Sequence, residues 1–94
     1  MNTANLQIKG ILLALYALLD TMKGKGVLNE QEIEDALKAA EAKASTEAEE
    51  RGELSEANAD AIAFPIRFLQ EANSASKQIK SFTTITQLVA EKNQ

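Results

Sequence analysis

The chain contains no His, no Cys and no Trp, so any chemistry would rest on carboxylates, lysines, one tyrosine and hydroxyls. Without His it lacks the commonest general base and the commonest imidazole metal ligand. Without Cys as well, the usual zinc sites and any disulfide are excluded. Lys23-Gly24-Lys25-Gly26 looks loosely like a phosphate-cradling loop. A P-loop, however, spaces its glycines by four residues, ends in Lys-Ser/Thr and follows a strand. Here the glycines follow an apolar helical stretch, where they read as a helix stop. Glu47, Glu49, Glu50, Glu53 and Glu56 cluster in sequence, but they do not alternate with a glycine bend as a calcium loop does. They read as a solvated acidic face. Tyr16 lies inside an apolar run with no base beside it, which suits a core or interface tyrosine whose hydroxyl reaches a polar edge. We therefore expect no catalytic residue, no cofactor and no bound metal, and a protein that is not an enzyme.

The elements that would carry these residues are helical. Residues 11–19 form nine consecutive apolar positions, Ile-Leu-Leu-Ala-Leu-Tyr-Ala-Leu-Leu. A helix over residues 6–22 would be apolar on nearly every side and must be covered. The run is about half of the ~20 residues a membrane span needs. It is followed by Asp20-Thr21-Met22-Lys23 rather than by a small-x-small cleavage site. A buried helix is the reading that fits, with no membrane role.

A second helix starts at Asn29 or Glu30. Asn29 is a good N-cap, and Glu32 stands three residues later, as in a capping box. Leu28 and Ile33 are placed to close a hydrophobic staple around the cap. The stripe that follows, Ile33, Leu37, Ala40, Ala44, Ala48, contains only alanine after Leu37. The second half of this helix should project, or pack through a thin alanine seam, until Arg51-Gly52 ends it. The string Gly26-Val27-Leu28-Asn29-Glu30-Gln31-Glu32-Ile33 is similar to the helix–turn–helix of short bacterial oligomerisation modules of the SHOCT type. These carry a glycine, an apolar pair, a cap and an acid-rich helix start. Capping chemistry alone generates the same residues.

Ser55 can cap a third helix, in which Pro65 removes one backbone donor and crowds the preceding turn. We expect a kink there rather than a new helix. Beyond it, two readings compete. Asn73-Ser74-Ala75-Ser76 looks like a turn before a fourth helix. Yet Ala61, Pro65, Phe68, Ala72, Ala75, Ile79, Phe82, Thr86 and Val89 keep a 4,3 spacing throughout, which suits one long helix over about residues 58–91. Residues 83–86 have β-branched character but do not alternate with period two, so a strand is rejected.

Charge is unevenly spread. Residues 29–60 carry eleven acids against three bases, while each flanking part is mildly basic, for a net charge of −4. An acidic balance argues against general nucleic-acid binding and against docking on an anionic membrane. The expectation is a single all-α domain over residues 1–94, a small bundle of three or four helices with residues 41–60 as an acidic arm and connection. Its expected function is structural: a small cytoplasmic protein of bacterial type that self-associates as a dimer, or binds a protein partner, through apolar helix faces. The expected contact residues are Leu12, Leu15, Tyr16, Leu19, Phe64, Arg67, Phe68, Ile79 and Phe82. Arg67 is expected to pair across that interface with the acidic arm. The alternative is a regulatory adaptor that docks its acidic arm on a basic protein surface.

Overall fold

The computed structural model describes residues 3–52, 55–74 and 82–92. They form four helices and, among the described residues, no strand: α1 (Thr3–Gly24), α2 (Glu30–Glu50), α3 (Glu56–Ser74) and α4 (Phe82–Lys92). The all-α bundle expected from periodicity is the observed fold. Helix α3 is its centre, since α1, α2 and α4 each pack on it.

The boundaries follow local chemistry. Helix α1 stops at Gly24, and Gly26 takes φ +75°, the left-handed conformation that costs glycine least. Asn29 and Glu32 form the full capping box: Glu32 N donates to Asn29 Oδ1 at 2.8 Å, and Asn29 N donates to Glu32 Oε1 at 2.9 Å. Gly52, at φ +67°, follows the Arg51 C-cap of α2. Ser55 Oγ accepts from Asn58 N at 3.1 Å and so caps α3. Helix α3 runs through Pro65 without ending, and Ala61, whose carbonyl loses its donor to the proline, is exposed. No second helix begins at Pro65.

One long helix over residues 58–91 is not what forms. Along a continuous helix Phe68 and Phe82 would stand roughly 21 Å apart. Their ring centroids are 4.9 Å apart, so the chain reverses between α3 and α4. The unbroken 4,3 spacing has a simple origin. Seven residues separate Ser74 from Phe82, one full heptad, so the apolar phase of α3 carries over into α4. Helix α4 buries Ile85 and Val89 against the core and includes residues 83–86, where Thr86 Oγ1 donates to the Phe82 carbonyl at 2.9 Å.

The core is small. Leu12, Phe68, Leu69, Ala72 and Ile85 form it, with Tyr16, Leu19, Leu37, Phe64 and Phe82 packed around them. The second half of α2 does not project. Ala48 is buried and Ala44 half-buried, facing Ala59 and Ala63 of α3 across a cavity of about 130 Å³. This is the alanine seam, and alanine's small side chains let the two backbones approach there.

Candidate interaction surface

Helix α1 divides its residues between two jobs. Leu12 is 3% exposed, and Tyr16 and Leu19 beside it are half-buried against the core. The charged residues of α1 are Lys9, Asp20 and Lys23, and at 3.6 residues per turn they fall within about 60° of one another, next to Leu12. The lysines are engaged with the bundle. Lys9 Nζ lies 5.2 Å from the Phe82 ring centroid, within cation–π range. Lys23 Nζ donates to the Asn73 carbonyl at 2.9 Å, supplying a donor to the last turn of α3.

The other side of α1 has no charge and is only partly covered within the chain. Ile8 is 48% exposed, Ile11 58%, Leu15 40%, Leu18 55% and Met22 36%. With exposed Ala4 ahead of them, these positions step by 4, 3, 4, 3, 4. That is a heptad seam of the kind helices use to pack on other helices. The polar neighbours on this flank are Gln7 and Thr21, and the Thr21 hydroxyl is turned back onto the Ala17 carbonyl at 2.8 Å. Leu6 and Leu13 are also exposed, on the opposite flank beyond Asp20.

The residues expected at an interface separate accordingly. Leu12 and Phe68 are buried in the chain's own core, and Tyr16, Leu19, Phe64 and Phe82 pack against it. Leu15 is the one that lies on the open face of α1. Ile79 lies outside the described residues. Arg67 does meet the acidic arm, but within its own chain: its Nε donates to Glu41 Oε2 at 3.2 Å. Sequence reasoning did not single out Ile8, Ile11, Leu18 or Met22. An unbroken apolar run contains several overlapping stripes, and only the positions claimed by the core reveal which stripe is left over.

An opening of about 510 Å³ lies between α2, α3 and α4 and is lined by Glu30, Glu34, Arg67, Gln70, Glu71 and Asn73 among others. Its polar groups serve the fold. Gln70 Nε2 donates to Glu41 Oε1 at 3.4 Å, Asn73 Nδ2 to the Glu30 carbonyl at 3.0 Å and Ser74 Oγ to the Glu71 carbonyl at 3.1 Å. No group of three acidic residues among the described ones is placed to hold a metal ion. Among the described residues, no helix is long and apolar enough to cross a membrane. No protein-family model, curated protein or solved structure matches the chain.

Proposed function

We propose that this protein is a structural interaction module that self-associates through the exposed face of α1. The observation that carries this reading is the uncharged heptad seam of Ile8, Ile11, Leu15, Leu18 and Met22, each of which the chain itself leaves about half-exposed. Fully burying a side chain of this kind is worth ~1.5–3 kcal/mol, so five that are about half-exposed would contribute roughly 4–7 kcal/mol per chain. For two chains that is comparable to the ~4–15 kcal/mol of translational and rotational freedom lost on association. The seam is also the type of patch that isolated proteins seldom leave in water.

The adaptor reading keeps one supporting observation: Glu47, Glu49 and Glu50 are all exposed near the end of α2. It has less to draw on, because Glu41 is occupied by Arg67 and the alanine stripe of the arm packs on α3. Sedimentation equilibrium across ionic strength separates the two. Association through the α1 seam should persist or strengthen as salt rises, because little charge is involved. Docking by the acidic arm would instead weaken steeply with salt, and a purified chain that stays monomeric at every ionic strength would sink the self-association reading.

A further inference from the structure

We infer that the occupant of the α1 seam is the α1 seam of a second copy, lying antiparallel to the first, with Ala4 opposite Met22, Ile8 opposite Leu18 and Ile11 opposite Leu15. This rests on the self-association proposed above and adds its geometry. A second copy fits the face because its own seam is equally long and free of charge, so no charged group is stripped of water when the two meet. The acid-rich α2 packs against α3.

Four features set the direction. The seam is unequal at its ends, with small Ala4 at one and long Met22 at the other. Antiparallel pairing places the small residue against the large one at both ends, whereas parallel pairing sets Ala4 on Ala4 and leaves a gap. The central pairs then match a β-branched Ile with a Leu throughout, each residue of one heptad class facing the other class. The α1 dipoles run head to tail only when the helices are antiparallel. Parallel pairing would also bring Lys23 and the exposed Lys25 of both copies to the same end.

Disulfide trapping tests this directly, because the chain has no Cys of its own. Ala4→Cys and Met22→Cys are prepared separately in the full chain and equilibrated in a glutathione redox buffer, singly and mixed. Both positions are exposed and make little contact with the core, so the fold tolerates either change. In the antiparallel pair, identical cysteines stand roughly 27 Å apart along the helix axis and cannot bridge. The expected result is therefore a covalent dimer in the mixture, joining one variant to the other, and none from either variant alone. Covalent dimers from each variant alone would overturn the antiparallel direction while leaving self-association in place. A dimer by light scattering that links in none of the three samples would overturn the seam as the contact. A monomer in all three would overturn the underlying self-association reading.

Discussion

Asn73 ties three helices together. It is 4% exposed, donates from Nδ2 to the Glu30 carbonyl at the start of α2, and offers its own backbone carbonyl to Lys23 of α1. Its Oδ1 is buried without a hydrogen-bond partner, so this junction is not fully satisfied. Lys23→Met keeps most of the aliphatic stem and removes only the donor. We expect it to lower unfolding stability by about 1 kcal/mol in urea titration, the net worth of one such bond. An unchanged midpoint would mean that the Lys23 bond holds nothing. Arg67 and Glu41 make another cross-helix contact, and their side chains are 37% and 33% exposed. At that exposure a double-mutant cycle with Arg67→Ala and Glu41→Ala should return a coupling of roughly 0.2–1 kcal/mol. Because the pair closes within one chain, Arg67→Glu should leave the state of association unaltered in size-exclusion chromatography. A shift to smaller species would restore Arg67 to an interface. The sequence shows that Arg67 is a lone base on an apolar segment; it cannot show that the acid answering it lies in the same chain.

At the scale of elements, what is local is legible and what depends on chain reversal is not. The capping box of α2 is written in residues three apart, and both of its hydrogen bonds form. Asn29→Ala should cost about 1 kcal/mol and speed amide exchange in the first turn of α2 ahead of its later turns. Uniform protection in the variant would contradict that. The α3–α4 hairpin was hidden because a seven-residue connection preserves the heptad phase, making two helices look like one. Periodicity reports which face is apolar; it carries no information about whether the chain turns back. Ile85 illustrates the cost: it is fully buried, yet the 4,3 count along residues 61–89 passes it by. Phe68→Ala, which empties the centre of the hairpin, should cost roughly 3–5 kcal/mol in thermal or urea unfolding. A loss under 1 kcal/mol would mean that α4 does not pack on α3 as described.

Over the whole molecule the balance turns on α1. One long final helix could not fold back over α1, which would then need a second chain to cover it. The hairpin removes that need, because Phe68, Leu69 and Ile85 cover Leu12 from within. The proposed self-association rests on other ground. A single helix stripe faces the core, and the stripe of Ile8, Ile11, Leu15, Leu18 and Met22 does not. No pattern in the sequence separates Leu12 from Leu18, since both are leucines in one apolar run and only the packed core distinguishes them. The most direct measurement is light scattering coupled to size exclusion on the wild-type chain and on Leu18→Glu. The wild type should elute as a dimer. Leu18→Glu, which places a charge on the open face at a residue outside the core cluster, should elute as a monomer with unchanged helical circular dichroism. A wild type that is monomeric at high concentration, or a Leu18→Glu variant that remains dimeric, would contradict association through α1.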